Sequence, residues 1–193
     1  MFYMVNPMVI YQGHRRIFFL KEERSYYFIC VPFFMKTCLV VGKFAPLHKG
    51  HEFLLQKAAN EADRLVVLVY DAPDVTRVPL SVRAGWIRLL YPGALVLEGE
   101  NPPLRDAWTP ERTREHKEFI KQLVSPYHIT HVFSCEAYGE LLARVIGAEH
   151  VRVEKLVEGV SHVSATMIRN HLDARQFVSE QVYRDMQNYG DVL

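Results

Sequence analysis

The sequence has little cysteine and almost no excess charge. Its 193 residues include three cysteines, Cys30, Cys38 and Cys135, whose spacing fits neither a metal site nor a redox motif. An odd and scattered set of cysteines argues against a disulfide scaffold and favours reduced thiols in a cytoplasmic protein. The formal net charge is +1, so composition predicts no bulk attraction to nucleic acid or to an anionic membrane.

Long apolar runs, internal repeats and low-complexity stretches are also missing. The longest apolar stretch, residues 26–35, has about half the length of a membrane span. No Walker-type phosphate loop occurs either. What is present is an ordinary soluble composition, 49% hydrophobic and 23% charged, which predicts one α/β domain with a full core.

Residues 1–34 differ from the rest because they are rich in aromatic side chains. Four basic residues lie in the middle of this segment and no small-residue cleavage site follows, which argues against a secretory signal. Three interpretations stay open: an upstream reading-frame extension that ends before Met35, an arm that packs on a partner, or a membrane-surface element. We favour the extension, and we therefore expect the domain proper to comprise residues 35–193.

From Met35 onward, apolar runs typical of buried strands alternate with amphipathic segments. This alternation predicts an α/β fold, a Rossmann-like doubly wound parallel sheet of about five strands followed by a C-terminal helical segment. Strands are expected at residues 39–41, 64–71, 94–98, 131–135 and 151–154. Helices are expected from Lys49, from a cap at Ser81 to about Leu90, over 110–124 and 137–146, from a cap at Ser164 into the 170s, and over 178–189.

The first predicted strand leads into a short loop and a helix that carries two histidines. Gly42 allows a turn or a close approach to a ligand, and Pro46 stiffens the loop. His48 and His51 are three residues apart, so both can face the same way across the first helical turn. The N–H groups at a helix start favour phosphate, and this region is therefore a candidate phosphate site.

A second pair with the same spacing, His128 and His131, lies just before an apolar strand and has no neighbouring glycine. The spacing alone is common in proteins and carries little information. We interpret this second pair as ordinary loop and strand-edge histidines.

Two sequence motifs resemble those of the nucleotidylyltransferase superfamily. His48-Lys49-Gly50-His51 matches the His-x-Gly-His motif that follows the first strand of that superfamily. Val163 to Arg169 matches its Ile-Ser-x-Thr-x-x-Arg motif, with Val in place of Ile. The longer stretch from Gly42 to His51 is most similar to the nicotinamide mononucleotide adenylyltransferase domain of the bifunctional bacterial NAD regulator. The resemblance covers about residues 36–172.

The resemblance implies transfer of AMP from ATP to nicotinamide mononucleotide, giving NAD and pyrophosphate. His48, His51 and Arg169 are then the expected catalytic residues. Magnesium is the implied cofactor, bridging the phosphates and bound mostly through water and substrate, with no protein side chains assigned to it. The residues expected to bind ATP and its phosphates are Gly42, Lys43, Phe44, Gly50, Ser164 and Thr166.

Four residues are expected on the acceptor side. Asp71 ends a parallel strand, where side chains reach a ligand crevice. Arg83 and Trp86 share one helix face, although Trp86 can equally be a core residue, and Trp108 lies in a polar loop. The related family also carries an acid and then an arginine before its second motif; Glu154 can stand for the acid, but no arginine follows it.

Other functions remain open at this point. The acceptor could be a different phosphorylated small molecule, CTP could replace ATP, or the domain could sense nucleotides without turnover. The expected partners are ATP and a phosphorylated acceptor in the cytoplasm, with neither nucleic acid nor membrane involved. A homo-oligomer is compatible with the sequence.

Overall fold

The structure, a computed structural model, describes residues 8–12, 15–22, 25–32, 35–103, 109–154, 164–170 and 174–191. The chain divides into two compact units, Met1–Met35 and Lys36–Leu193. In the first unit, three strands pair antiparallel in the order β1-β2-β3. These strands are β1 (Met8–Gln12), β2 (Arg15–Glu22) and β3 (Ser25–Pro32).

The second unit contains a five-stranded parallel sheet in the order β6-β5-β4-β7-β8. The chain passes from the central strand β4 outward to β5 and β6, and then returns to the other side of β4 to form β7 and β8. This order confirms the predicted Rossmann-like, doubly wound fold. The strands are β4 (Thr37–Gly42), β5 (Arg64–Tyr70), β6 (Leu95–Gly99), β7 (His131–Ser134) and β8 (Glu149–Arg152).

The helices of the described segments match the predicted ones, with boundaries shifted by one or two residues. They are α1 (Lys49–Glu61), α2 (Leu80–Leu90), α3 (Pro110–Val124), α4 (Ala137–Ile146), α5 (Ala165–Asn170) and α6 (Glu180–Asn188). In the described residues, no helix is both long enough and apolar enough to cross a membrane.

The start of one helix differs from its prediction, and the start of another agrees with it. Helix α2 begins at Leu80 after Pro79, whose extended backbone leads into the helix, so Ser81 lies inside the first turn and not at the cap. Helix α3 starts as its sequence predicts, because the Thr109 side chain accepts a hydrogen bond from the Arg112 N–H and Pro110 occupies the first turn.

Alternate residues of the strands pack on opposite faces of the sheet, as expected for strands covered on both sides. Cys38 and Val40 of β4 face a layer that contains α1, α2, α5 and α6, whereas Leu39 faces α3 and α4. Burial raises the pKa of the Cys38 thiol to about 11, which makes it an inert core residue. Two packed layers thus hold the ends of β4 and β7 in place.

Candidate active site

A cavity of about 350 Å³ opens at the carboxyl ends of β4 and β7. These neighbouring strands mark the point where the chain reverses its order across the sheet, and such points are where doubly wound sheets bind ligands. Both sequence motifs reach this cavity. Its lining includes Gly42, Lys43, His48, Gly50 and His51 from the first motif, and Ser164 and Thr166 from the second.

His48 is the N-cap of α1. Its Nδ1 atom accepts a hydrogen bond from the backbone N–H of Gly50 at 3.1 Å. A backbone N–H can only donate, so Nδ1 carries no hydrogen and the neutral ring carries its hydrogen on Nε2. The cap therefore selects one tautomer of His48, with its remaining donor on the other side of the ring.

His51 lies in the first turn of α1, with its ring stacked on that of His48. The two ring centroids are 3.8 Å apart and the ring planes differ by 27°. Phe44 packs edge-on against His51, with a centroid distance of 5.0 Å. The structure thus brings the two imidazoles together at the helix start, where they can donate hydrogen bonds to phosphate oxygens.

The position of Phe44 explains why a glycine ends β4. Phe44 has a positive φ of 46°, and its side chain is fully buried against Gly42. A Cβ atom added to Gly42 would lie 3.1 Å from the Phe44 ring, so a larger residue at position 42 would force the ring to move. Gly42 and Phe44 shape the wall behind the two histidines.

The second motif begins with a capped helix. The Ser164 hydroxyl accepts a hydrogen bond from the Met167 N–H at 3.2 Å, and this bond starts α5. Arg169 then reaches across to the first motif and donates to the carbonyl of Ala45, while its other terminal nitrogen lies 3.4 Å from the Thr166 hydroxyl. Arg169 therefore connects the two motifs directly.

The cationic groups at the cavity differ in their surroundings. Burial lowers the pKa of Arg169, while the negative charges of Asp191 and Asp74 raise it, and a guanidinium stays charged throughout. The Lys43 ammonium lies 3.9 Å from the carboxylate of Asp74, which is itself largely exposed. Lys43 is thus paired with a carboxylate, whereas Arg169 is bonded to the Ala45 carbonyl and only influenced by the nearby negative charges.

Arg83, predicted on the acceptor side, is completely buried. Its guanidinium donates to the carbonyls of Lys43 at 2.5 Å, Tyr70 at 3.1 Å and Val78 at 3.0 Å, and to the Asp71 carboxylate at 2.9 Å. Burial lowers the pKa of Arg83, and the nearby Asp71 opposes that shift. In this arrangement Arg83 ties the end of β4 to the end of β5, and neither it nor Asp71 lines the cavity.

Trp86 is also buried, with 4% of its surface exposed, and its indole N–H donates to the Asp185 carboxylate at 2.7 Å. This contact joins α2 to α6 and places Trp86 in the core cluster, which was the other interpretation of this residue. Trp108 lies outside the described residues. A direct acceptor role for any of the four residues stays a prediction.

Several residues that line the cavity were not predicted from the sequence. Tyr70 at the end of β5 and Tyr138 in the first turn of α4 both line the cavity, as does the partly exposed Cys135. Their positions in the sequence could have identified them, since each lies at or just after the carboxyl end of a predicted parallel strand, where ligands bind. A backbone contact was missed too, because the Phe177 carbonyl accepts a hydrogen bond from the first helical N–H of α1, that of Lys49, at 3.0 Å.

Comparison with protein families and solved structures supports the motif assignment. A cytidylyltransferase-like family model matches residues 39–90, which include the first motif, α1 and the Arg83–Trp86 helix. No curated protein matches the sequence of the chain. The predicted resemblance to the nucleotidylyltransferase superfamily is confirmed over that segment.

Solved structures share the fold at low sequence identity. A NadR protein in complex with NAD and AMP-PNP is 18% identical, with 79% of this chain and 47% of that chain covered and a TM-score of 0.56. A bifunctional NMN adenylyltransferase/ADP ribose pyrophosphatase from Francisella tularensis is 13% identical, with 82% and 51% covered and a TM-score of 0.58. The Plasmodium falciparum nicotinic acid mononucleotide adenylyltransferase complexed with APC is 13% identical, with 81% and 96% covered and a TM-score of 0.50.

The chain thus spans about half the length of the first two of these proteins. At these identities the likeness establishes the fold alone, which this chain shares with part of the NadR protein and with part of the bifunctional NMN adenylyltransferase/ADP ribose pyrophosphatase. The fold and the family match support a nucleotidyl transferase class.

Proposed function

We propose that this chain transfers AMP from ATP to nicotinamide mononucleotide, giving NAD and pyrophosphate. The observation that carries the proposal is the bond from Arg169 to the Ala45 carbonyl. Through it, two motifs separated by more than a hundred residues enclose one cavity beside the stacked His48 and His51. A plain capped helix with a solvated arginine would not need that contact.

The proposed reaction is an in-line displacement at the α-phosphorus of ATP. A phosphate oxygen of the acceptor forms the new P–O bond while the bond to the pyrophosphate oxygen breaks. Negative charge builds on the α-phosphate oxygens and on the leaving group, so catalysis consists mainly of positioning and electrostatic stabilisation. No covalent intermediate with the protein is required.

Each motif residue has a role in that scheme. His48, through Nε2–H, and His51 donate hydrogen bonds to the α-phosphate region. Ser164 and Thr166, at the start of α5, hold the β- and γ-phosphates. Arg169 neutralises the departing pyrophosphate while its contact with Ala45 keeps it aligned with the histidines.

Magnesium would be held by the substrate more than by the protein. Within the described ranges, no cluster of three or more His, Cys, Asp or Glu side chains is placed to hold a metal ion. The cavity lining offers imidazole and ammonium groups from the first motif, which are poor magnesium ligands, together with the carboxylates of Glu136 and Glu154. The ion would bind mainly to phosphate oxygens and water, with these two carboxylates available beside it, and would supply further neutralisation of the triphosphate charge.

The acceptor is the least constrained part of the proposal. Proteins of the same fold carry NMN and nicotinic acid mononucleotide in their names, which favours a pyridine nucleotide acceptor, and Trp108 remains our candidate for stacking on its ring. A different phosphorylated acceptor, CTP as the donor, or nucleotide sensing without turnover are the alternatives. Cytoplasmic location and homo-oligomer formation also remain predictions.

The test is pyrophosphate release measured with ATP or CTP against a panel of acceptors that includes nicotinamide and nicotinic acid mononucleotides. We expect turnover with ATP and nicotinamide mononucleotide. Replacing Arg169 by methionine should lower it by about 100-fold, since a charge-assisted contact in the transition state is lost. The matched control is Arg175→Met, because Arg175 is exposed and pairs with Glu180.

Two results would overturn parts of the proposal. Turnover only with another acceptor or with CTP would replace the substrate assignment and leave the reaction class intact. Nucleotide binding with no pyrophosphate release from any pair would favour the sensing alternative.

A further inference from the structure

His116 is a buried histidine that the proposed reaction does not use. It lies on α3 with 1% of its surface exposed. Its Nδ1 atom lies 2.8 Å from the Tyr138 hydroxyl, and its ring meets the Tyr70 ring edge-on, with a centroid distance of 4.9 Å and an interplanar angle of 76°. The centroid of the Tyr138 ring lies 6.0 Å from that of the imidazole, with an interplanar angle of 63°. One imidazole thus contacts two tyrosines.

Both tyrosines line the cavity, and they approach it from different elements of the fold. Tyr70 ends β5, and Tyr138 lies in the first turn of α4, just after β7. Strands β5 and β7 flank β4 on its two sides. His116 therefore reaches both sides of the crevice from a third element.

Packing alone does not account for a histidine at this position. A buried imidazole loses its hydration, and only hydrogen bonds compensate for that loss. Phenylalanine would fill a similar volume and keep the edge contact with Tyr70, but it could not bond to the Tyr138 hydroxyl. What the imidazole adds is a hydrogen bond that restricts the orientation of the Tyr138 ring.

We propose that His116 is a positioning residue that holds Tyr138 and Tyr70 as an aromatic wall for a planar heterocycle of a bound nucleotide. Tyrosine rings offer both faces and edges to such a ligand. The heterocycle is either the base of the nucleoside triphosphate or the ring of the acceptor. In the first case a loss of the wall raises KM for the nucleoside triphosphate, and in the second it raises KM for the acceptor. The identity of the nucleotides rests on the proposed function, whereas the aromatic wall rests on the contacts of His116.

The experiment compares His116→Phe and Tyr138→Phe with the parent chain, measuring KM for ATP and for nicotinamide mononucleotide separately. Each variant removes the hydrogen bond from one side and keeps a ring. We expect a rise of about tenfold in one KM and a kcat within about threefold of the parent, since an interaction made equally in the ground and transition states changes KM alone. A rise for ATP assigns the wall to the base, and a rise for the acceptor assigns it to the acceptor ring.

Three further variants separate positioning from a structural role. His116→Asn keeps a side-chain amide near the hydroxyl and should restore part of the KM. The double variant His116→Phe with Tyr138→Phe should be no worse than either single change, because both break the same bond. Tyr127→Phe is the matched control, since Tyr127 lies in a short turn after α3 and does not line the cavity.

The outcomes are distinct from those of the proposed function. An active parent whose variants keep both KM values, or lose kcat in step with melting temperature, would overturn the inference. If the parent binds nucleotides without turnover, dissociation constants measured by calorimetry take the place of KM. Weaker binding by the variants would then support the aromatic wall although the proposed reaction fails. Unchanged binding would overturn the aromatic wall. If the parent binds CTP or another acceptor of the panel instead, the same variants are compared with that compound, and if it binds no nucleotide of the panel, both proposals fall. Should His116→Phe not fold, Tyr138→Phe decides alone.

Discussion

Two histidine pairs with the same spacing end up in different structures. His48 and His51 stack at 3.8 Å at the start of α1 and line the cavity. His128 has a left-handed backbone with φ of 49° after a short helical turn, and His131 begins β7 with its Nε2 atom 3.4 Å from the Glu149 carboxylate. Neither residue of the second pair lines the cavity.

The difference shows that spacing acquires meaning only from the local backbone. Three residues across a helix start bring both side chains to one side, whereas three residues that run through a turn into a strand do not. The strand, glycine and proline before His48 predicted the first situation, and the apolar strand after His128 predicted the second.

The largest contrast is in turnover. Replacing His51 by alanine should lower kcat/KM about 10²–10³-fold, the usual loss for one transition-state hydrogen-bond donor. His131→Ala is the matched change in the second pair and should leave turnover at the parent level. Pyrophosphate release by both variants, with thermal unfolding as a check on folding, makes the comparison; equal activities would remove His51 from the mechanism.

The second contrast concerns stability. His48→Ala removes the N-cap of α1 and should cost about 1 kcal/mol in the free energy of unfolding. His48→Asn can accept the same bond from the Gly50 N–H, so it should recover the stability but not the turnover, because it lacks the imidazole donor. Urea unfolding and pyrophosphate release on both variants separate the two roles, and an alanine variant as stable as the parent would contradict the cap.

Features set by interactions between residues close in sequence could be predicted, whereas features set by contacts between distant segments could not. Strand and helix periodicity predicted the sheet, and the two motifs could be recognised because each is a continuous segment that carries its own helix start. Boundaries shifted where backbone contacts decide them, as at Pro79, where no side chain caps the helix. Local pattern thus sufficed for local structure.

The acceptor side was harder because its contacts join distant segments. Arg83 was expected at the ligand because it shares a helix face with Trp86 and the family resemblance places an arginine there, yet it is buried on the carbonyls of Lys43, Tyr70 and Val78. Every residue carries a backbone carbonyl, so the residue types do not indicate which carbonyls an arginine will contact. His116 was missed for the same reason, since only the fold brings it to tyrosines on two other elements.

A smaller effect is expected at His128. Its left-handed backbone is unfavourable for a residue with a Cβ atom. His128→Gly should therefore raise the free energy of unfolding by about 0.5 kcal/mol, after subtraction of the greater chain entropy of glycine in the unfolded state. Turnover should not change, and a loss of turnover in a well-folded glycine variant would show that the second pair has a function.

The smallest effect belongs to the contact between His131 and the Glu149 carboxylate. The Glu149 side chain is 73% exposed, so solvent screens its charge and the pair contributes only a few tenths of a kcal/mol at most, roughly 0–0.5. Glu149→Gln keeps the shape and removes the charge, and its unfolding free energy should match that of the parent within this range. High salt should abolish whatever difference remains, because exposed charges are screened at short distances in concentrated electrolyte. A loss of turnover in this variant would mean that charge at the β7–β8 edge reaches the cavity, and the distinction drawn between the two histidine pairs would then fail.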